Sequence, residues 1–164
     1  MREYDRVRRW HVDEVFVKIN GERHYLWRAV DHEGEVLEAV VTKRRNKRAA
    51  LKFLKKLVCR FGRPETIVTD RLPSYGAGLR DLGAADLQSV GRWLNNRVEN
   101  SHLPLRRRER AMLRFRRMRS LQMFAAFHAS VYNHFNQERS LSSRTIFKLN
   151  RTAALEEWRH LCAA

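Results

Sequence analysis

The chain has 164 residues, with 34 Lys plus Arg against 18 Asp plus Glu and a formal net charge of +16. Hydrophobic residues make up 43% of this length, enough for one domain with its own core, which excludes a wholly disordered basic tail. No apolar run approaches the ~20 residues of a membrane span. The excess of positive charge predicts a polyanionic partner, with nucleic acid as the first candidate and an anionic membrane surface as the second.

The first part of the chain is predicted to form a three-stranded antiparallel meander. Segment 10–19 is rich in Val, Phe and Ile and is followed by Asn20-Gly21, a strong hairpin signal. The return strand is 23–30, and a turn at 31–34 leads into a third strand at 36–42.

The hydrophobic period then changes to that of a helix. Asn46 is the expected N-cap, and Gly62 with Pro64 ends the helix. Its apolar positions are Ala49, Ala50, Phe53, Leu54, Leu57 and Val58. A short strand at 65–69 ends at Asp70, and a short helix at 75–82, closed by Gly83, precedes a fifth strand at 87–90.

From about Asn95 onward the chain is predicted to be helical. One apolar stripe comprises Met112, Phe115 and Met118, and another comprises Leu121, Phe124, Phe127, Val131 and Phe135. Ser120 is a candidate cap at a break between the stripes, and a last helix is expected to begin near Thr152. The apolar positions after Ser120 fit either the core or an interface.

The cysteines and the N-terminus carry no targeting or metal signal. Cys59 and Cys162 lack metal-ligand spacing and are expected to be buried or idle thiols, which suits a reducing cytoplasm. The first six residues contain no apolar segment, so we expect no signal peptide.

Three acidic residues occupy positions that suit a metal site. Strand alternation puts Asp13 on one face with Val15 and Val17, and Glu14 on the other. A carboxylate among apolar side chains is costly to bury unless a cation offsets its charge, although a solvent-facing position is the simpler interpretation of Asp13.

The other two acids stand at element ends. Asp70 follows a strand, where ligand sites of sheets with helical crossovers gather, and Glu99 opens a helix, whose N-terminus favours an acid. His102 lies on the same helical face as Glu99. Each alone is more simply a turn or surface residue. If Asp13, Asp70 and Glu99 converge at one sheet edge, they provide the carboxylates that divalent-metal phosphoryl transfer requires.

The segments WHVDEVFVKINGERHYLWRAVD, ETIVTDRLPSYG and NNRVENSHLPLRRRER closely resemble bacterial insertion-sequence transposases of the IS6 family, in order and with their flanking residues. The resemblance runs from about Trp10 to the C-terminus. It implies an α/β, RNase H-like fold of the retroviral-integrase type, with a mixed five-stranded sheet flanked by helices and additional C-terminal helices.

The same resemblance implies a catalytic D-D-E triad of Asp13, Asp70 and Glu99. These residues would bind Mg²⁺ or Mn²⁺, two ions per active site, for cleavage and strand transfer of DNA. The intervals within the triad are 56 residues (14–69) and 28 residues (71–98). Some family members have a longer second interval, and the difference falls in the variable region 83–91.

The resemblance also predicts organisation and partners. Family members usually carry a helix-turn-helix region before the first catalytic strand, whereas twelve residues precede Asp13 here. We therefore expect a basic remnant at 1–9, a catalytic core at 10–136 and a helical extension at 137–164 that packs on the core. Double-stranded DNA, at transposon ends and target, is the implied partner of a homodimer in the cytoplasm at the nucleoid, without membrane contact.

Two dense groups of cations are the expected contacts to the DNA backbone, because arginine binds phosphate with a planar fork. The first basic cluster comprises Lys43, Arg44, Arg45, Lys47 and Arg48. The second comprises Arg106, Arg107, Arg108, Arg110, Arg114, Arg116 and Arg117, which are expected to cover most of the circumference of one helix. A solvated helix face is the simpler interpretation of such a run, but its density beside the proposed metal site favours DNA.

Auxiliary residues near the site are His102, Asn96 and Tyr75. Tyr75 or Trp93 is a candidate for stacking on a displaced base, with core packing the simpler role of Trp93. His128 and His134 are interpreted as packing or surface residues rather than ligands.

The alternatives to a transposase core are a DNA-binding remnant without productive chemistry and a stand-alone RNase H-like nuclease. A ribosomal-type RNA-binding protein would account for the net charge but not for the three segments that contain Asp13, Asp70 and Glu99 in this order.

Overall fold

A mixed five-stranded sheet with helices on both faces forms the body of the computed structural model, which describes residues 9–91, 95–111, 115–136 and 143–163. The elements in chain order are β1 (Arg9–Ile19), β2 (Glu22–Val30), β3 (Val36–Thr42), α1 (Lys47–Phe61), β4 (Thr66–Thr69), α2 (Pro73–Asp81), a short 3₁₀ turn (Ala85–Leu87), β5 (Gln88–Val90), α3 (Asn96–Ala111), α4 (Met118–Phe135) and α5 (Arg144–Ala163). The predictions for Trp93, Met112, Arg114 and most of segment 1–9 lie outside the described residues.

The sheet order is β3-β2-β1-β4-β5, which confirms the five predicted strands and the predicted fold class. The first three strands are antiparallel, whereas β4 runs parallel to both β1 and β5. Asn20 and Gly21 both have positive φ, 51° and 82°, as the tight hairpin between β1 and β2 requires. β1 is therefore the central strand, flanked on one side by a parallel neighbour.

Strand alternation divides the core into two layers. Trp10 and Val12 of β1 face α1 and α2, and Val17 and Ile19 face α3 and α4, which is the alternation predicted around Asp13 and Glu14. The first layer includes Trp10, Val12, Trp27, Phe53, Leu54, Leu57, Tyr75 and Leu79. The second includes Val17, Ile19, Leu26, Leu105, Phe115, Leu121 and Ala125. Burial of large apolar side chains on both faces holds β1, with its two acids, rigidly in place.

Asn46 caps α1 as predicted. Its side-chain Oδ1 accepts a hydrogen bond from the Ala49 amide at 3.0 Å. Asn46→Ala is expected to lower the free energy of unfolding by about 1 kcal/mol, because it leaves a helix N–H without its partner. Urea denaturation measures this change. Asn46→Asp keeps the acceptor and should remain close to wild type; an equal loss in both variants would contradict the capping role.

The outer edge of β3 is covered by amide side chains of α4. Gln122 accepts from the Val41 amide at 2.8 Å and donates to the Ala39 carbonyl at 2.7 Å. Asn133 accepts from the Val36 amide at 2.7 Å and donates to the Val36 carbonyl at 2.8 Å. These bonds satisfy backbone groups that a free edge strand would expose.

The second basic cluster is not on one helix, contrary to the sequence prediction. α3 ends at Ala111 and α4 begins at Met118, so Arg116 and Arg117 lie in a connection between helices. The reason is Phe115, which is buried in the second core layer and pairs its backbone with Ile19. The prediction of Ser120 as a cap is also wrong, because the N-cap of α4 is Arg117, with no side-chain capping bond.

The last helix begins at Arg144 rather than near Thr152. Ser143 precedes it and accepts from the Ile146 amide at 3.3 Å, an N-terminal signal that the sequence analysis missed. α5 packs on α4: the ring of Trp158 contacts Phe127, and His134 Nε2 donates to the Ala154 carbonyl at 2.6 Å. The packing role of His134 is thereby confirmed, whereas the domain boundaries stay a prediction.

Two smaller features complete the fold. Cys59 and Cys162 are exposed free thiols, so of the two expected alternatives the buried one is wrong and the idle one stays a prediction. Over the described ranges, the helices are all too short or too polar to traverse a lipid bilayer.

Candidate active site

The parallel pairing of β1 and β4 brings Asp13 and Asp70 together. Their last paired residues are Val12 and Thr69, so the two acids come next in register where the strands part. Neighbouring strands lie about 4.8 Å apart, and parallel strands end at the same edge of a sheet. On the other side of β4, Thr69 pairs with Val90 of β5. Gly91, which follows Val90, therefore lies at the same edge of the sheet as Asp70.

Glu14 joins these two acids. Asp13, Glu14 and Asp70 each offer a carboxylate oxygen, and these oxygens all lie within 4.8 Å of one another. Strand alternation predicted that Glu14 and Asp13 point to opposite faces of the sheet, and their backbone positions agree. The longer side chain of Glu14 nevertheless reaches the other two carboxylates where β1 and β4 part. Its adjacency to Asp13 was the available signal.

Glu14 is a buried carboxyl group with two side-chain partners. The Tyr75 hydroxyl donates to it at 2.9 Å, and the Arg45 guanidinium lies 2.7 Å from its other oxygen. Burial, together with the negative charge of Asp70, raises the pKa of Glu14 from 4.5 to about 7 despite those partners. Glu14 therefore changes charge near neutral pH.

Asp70 is partly held by its own turn. Its Oδ1 accepts from the Leu72 amide at 3.0 Å, so the simpler prediction of a turn residue is also correct. Burial raises the pKa of Asp70, an effect opposed by the Leu72 amide and reinforced by the charge of Asp13. The acids thus raise one another's cost of ionisation, as expected for carboxylates that share one site.

Glu99 approaches from the helical side of the site. Asn95, just before α3, is buried and donates from Nδ2 to the Val12 carbonyl at 3.1 Å, which fixes the start of α3 against β1. Glu99 lies in the first turn and lines a cavity of about 300 Å³ together with Asp70, Arg71, Gly91 and Asn95. It is not among the three acids whose oxygens lie within 4.8 Å of one another.

His102 lies on α3 and contacts Asp13. Its Nε2 is 3.2 Å from Asp13 Oδ2, and its ring is buried. Burial lowers the pKa of His102, although the hydrogen bond to Asp13 opposes the shift. The imidazole is therefore neutral at pH 7, with Nε2–H donating to the carboxylate.

A buried arginine lies on the same face as Asp13. Arg28 is the residue opposite Asp13 in the β1–β2 register and is 1% exposed. Burial lowers the pKa of Arg28 to about 10, which leaves it cationic at neutral pH, and its charge further lowers the pKa of His102. Arg28 was not among the site residues predicted from the sequence.

Burial excludes the stacking role considered for Tyr75, whereas the auxiliary role of Asn96 stays a prediction. Tyr75 does lie beside the site, but it is fully buried and packs edge-on against Trp27 at 5.5 Å, so it is not accessible to a displaced base. Asn96 is exposed, whereas the neighbouring Asn95 makes the contact to β1 and lines the cavity. The sequence did not distinguish Asn95 from Asn96, because it does not determine which face of α3 packs against β1.

The two basic clusters are largely exposed, and one residue of the first cluster contacts the site. Every residue of the first cluster is exposed, but Arg45 pairs with Glu14 and Lys47 pairs with Asp81 at 2.8 Å. The second cluster is exposed at Arg107, Arg108, Arg110, Arg116 and Arg117. Arg106 is half-buried and bonds to Glu109 at 2.9 Å. The sequence could not show which cations are already paired.

The donor set fits a hard divalent cation. Carboxylate oxygens are the ligands that Mg²⁺ prefers, and three of them meet here with Glu99 across an adjoining cavity. A bound cation would offset both the burial of these carboxylates and their mutual repulsion, which raise the pKa of Asp70 and of Glu14. Acids at parallel strand ends, backed by a helix that carries a further acid, can hold metal ions against a phosphodiester.

Comparisons with solved structures give the same fold. The HTLV-2 integrase catalytic core domain in complex with magnesium aligns with a TM-score of 0.50 and 18% identity, over 62% of this chain and 68% of that one. A chain of the simian T-cell lymphotropic virus intasome, in complex with the PP2A regulatory subunit B56 gamma, aligns with a TM-score of 0.51 and 23% identity, over 58% and 37%. The sheet is thus RNase H-like, of the retroviral-integrase type.

Sequence comparison identifies the family. The family model DDE_Tnp_IS240, described as a DDE domain, matches residues 7–138, and the chain belongs to this family of DDE domains. The transposase for insertion sequence-like element IS431mec and that for element IS257 in transposon Tn4003, both from Staphylococcus aureus, are each 34% identical over 99 residues.

These matches confirm the predicted IS6-family transposase DDE core. The aligned region covers 57% of this chain and 44% of either relative, so the chain spans less than half the length of the curated relatives it matches.

Proposed function

We propose that this chain cleaves DNA strands and transfers their ends at a site formed by Asp13, Asp70 and Glu99. The observation that supports the proposal most directly is the register that sets Asp13 beside Asp70 at the parting of two parallel strands. Glu99, anchored through Asn95, faces the same cavity as Asp70. Phosphoryl transfer depends chiefly on positioning the reacting groups and on offsetting the charge of the phosphate. A rigid row of carboxylates would provide both when divalent cations are bound to it.

Asp13 and Asp70 would hold one divalent cation, and Glu99 with one of them a second. Mg²⁺ or Mn²⁺ bound there lowers the pKa of the attacking hydroxyl or water and offsets charge on the phosphate. His102 orients Asp13 through its Nε2–H, and Leu72 orients Asp70 through its amide. Glu14 links β1 to Arg45 of the first basic cluster, which places one cation at the rim of the site.

Double-stranded DNA is the proposed substrate, both at transposon ends and at the target, in the cytoplasm at the nucleoid. The exposed arginines of both clusters would contact phosphates on either side of the cut. Backbone contacts of this kind position DNA without reading its sequence, so this region alone is expected to bind duplexes of different sequence with similar affinity.

Affinity for duplex DNA is expected to fall steeply with salt. Each phosphate contact made by these arginines contributes a slope of about −0.9 in a plot of log affinity against log salt concentration. Fluorescence anisotropy with a labelled duplex measures the slope. Arg107→Gln with Arg108→Gln should reduce the slope by roughly two contacts, whereas Arg151→Gln on α5 serves as the control. A flat salt response would contradict backbone binding.

The test of the proposed function uses the purified chain, a duplex with a 3′-hydroxyl end, and a supercoiled plasmid target. We expect nicked and joined products with Mg²⁺ or Mn²⁺ and none with chelator. Binding that survives in chelator, without cleavage under any divalent metal, would favour a DNA-binding remnant. Cleavage of RNA in hybrids without joining would favour a nuclease.

We also propose that the chain forms a homodimer through α4 and α5. Large exposed apolar side chains concentrate on these helices, including Met123, Phe127, Ile146, Leu149 and Leu161. Such a surface is rarely left to solvent.

Leu149→Asp is expected to convert a dimer to a monomer in light scattering, since it buries a charge in the interface. Leu103→Asp on α3, a residue 54% exposed, is the matched control and should leave the mass unchanged. A wild-type monomer at all concentrations would contradict the dimer.

A further inference from the structure

A half-exposed aromatic ring lies between basic side chains beyond the acidic site. Phe16 follows Glu14 along β1 and is 50% exposed. The guanidinium carbon of Arg23 lies 5.2 Å from its ring centroid, and that of Arg106 lies 5.4 Å away. Arg106 is fixed in place, because it donates to the Phe16 carbonyl at 2.6 Å and to Glu109 at 2.9 Å.

Phe16 and Arg106 line two adjoining cavities, which we call the Phe16 groove. The smaller, of about 210 Å³, also touches Glu14, Arg23 and Arg45 beside the acidic site. The larger, of about 510 Å³, continues past Lys18 and Arg110 to the hairpin turn at Asn20 and Gly21. The groove therefore leads away from the acids along β1.

The groove carries an excess of positive charge. Two of its acids are already engaged, Glu14 with Arg45 and Glu109 with Arg106. Within the portion of the chain that the structure describes, Lys18, Arg23 and Arg110 form no ion pair with a carboxylate. Three cations around one accessible ring match a ligand that combines phosphates with a flat aromatic group.

We propose that the Phe16 groove binds unpaired nucleotides of the DNA strand that enters the acidic site. A base stacks on Phe16 or on the adjacent guanidinium planes, and its phosphates contact Arg23 and Arg110. Bases of an intact duplex are stacked on one another and do not present a free face. Phe16 lies three residues from Asp13, or about 10 Å along the strand, which is roughly three nucleotide steps of duplex DNA.

The choice of DNA over another polyanion rests on the proposed function, while the preference for unpaired nucleotides rests on the groove. The experiment compares two duplexes of the same sequence in chelator, one blunt and one with three unpaired nucleotides at its end. A 2-aminopurine in the unpaired segment reports stacking by quenching of its fluorescence, and anisotropy gives both affinities. Neither measurement depends on catalysis.

We expect the wild-type chain to bind the frayed duplex about tenfold more tightly than the blunt one and to quench the 2-aminopurine. Phe16→Leu should abolish the preference and the quenching, and Phe16→Trp should retain both. Leu103→Ala, at a large exposed apolar residue that lines neither cavity, is the control and should behave as wild type.

The outcomes separate the two proposals. Equal wild-type affinity for both duplexes, or a preference that survives in Phe16→Leu, would overturn the role of the groove and leave the proposed function intact. Failure to bind either duplex would overturn both. A loss in Phe16→Leu that Phe16→Trp does not restore would also count against stacking, because both variants preserve apolar bulk.

Discussion

Asp70→Asn is expected to lower the rate of metal-dependent DNA cleavage by at least roughly a thousandfold, because it removes a carboxylate that would hold the cation against the phosphate. Asn keeps the Oδ1 that accepts from the Leu72 amide at 3.0 Å, so the local turn should persist. The measurement is single-turnover cleavage of labelled duplex with Mg²⁺. A variant that cuts within tenfold of the wild-type rate would remove Asp70 from the site.

The same substitution should raise the melting temperature of the metal-free protein at neutral pH. The pKa of Asp70 is raised in the folded state by burial and by Asp13, so the folded chain pays for ionising it. Below about pH 4, the unfolded-state pKa, both states are protonated and the penalty is absent; it grows as pH rises through and above that value. The stabilisation by Asn should therefore be small at pH 4 and larger at pH 7.

Asp86→Asn is the matched control for both measurements. Asp86 is exposed, pairs with Arg63 at 3.3 Å, and lies in the 3₁₀ turn that precedes β5 rather than among the residues of the acidic site. It should change neither cleavage nor the pH dependence of melting by a measurable amount. Stabilisation of equal size in both variants would mean that the general excess of charge, and not the acidic site, is responsible.

Glu99→Gln is expected to reduce cleavage by roughly a hundredfold or more, whereas Glu14→Gln should reduce it less than about tenfold. The comparison matters because the structure groups Glu14, not Glu99, with Asp13 and Asp70. Glu14 already binds the Tyr75 hydroxyl and Arg45, and burial raises its pKa to about 7, so the metal-free protein populates its protonated form near neutral pH. Glutamine imitates that protonated form.

Both variants are assayed side by side for cleavage and for Mn²⁺ affinity by calorimetry. Glu99→Gln should weaken the binding of at least one ion, and Glu14→Gln should leave binding nearly intact. If Glu14→Gln proves the more damaging of the two, Glu14 replaces Glu99 as the third acid. Glu99→Asp, which shortens the side chain but keeps its charge, shows whether reach or charge decides.

Much of the fold was predictable because local signals and the global arrangement agree. Asn20-Gly21 sets a hairpin, alternation sets the faces of β1, and a strand that stops at Asp70 sets an acid at a sheet edge. Asp13 approaches Asp70 because β1 and β4 pair in parallel. Composition and local patterns do not predict that pairing, and the expectation that the acids converge came from the family resemblance.

The remainder depended on contacts between distant residues. The bridge of Phe115 to Ile19 lies between α3 and α4, whereas the break was predicted at Ser120, and no local signal marks Phe115 as the point of contact. The engagement of Arg45 by Glu14 turns one expected DNA contact into part of the site, and the burial of Tyr75 removes an expected stacking ring. In each case the residue was visible in the sequence, but its contact partner depends on how distant parts of the chain pack together.

The amide side chains of α4 that cover the outer edge of β3 have a consequence for how copies of this protein can associate. Gln122 and Asn133 stand eleven positions apart on α4, about 16 Å, and hydrogen-bond to the backbone at both ends of the strand from Val36 to Val41. An incoming strand would find these groups already bonded, and the opposite edge, β5, has three residues. Pairing of either edge with a strand of a second copy is thereby disfavoured, so we expect any association between copies to use helices rather than a continuous sheet.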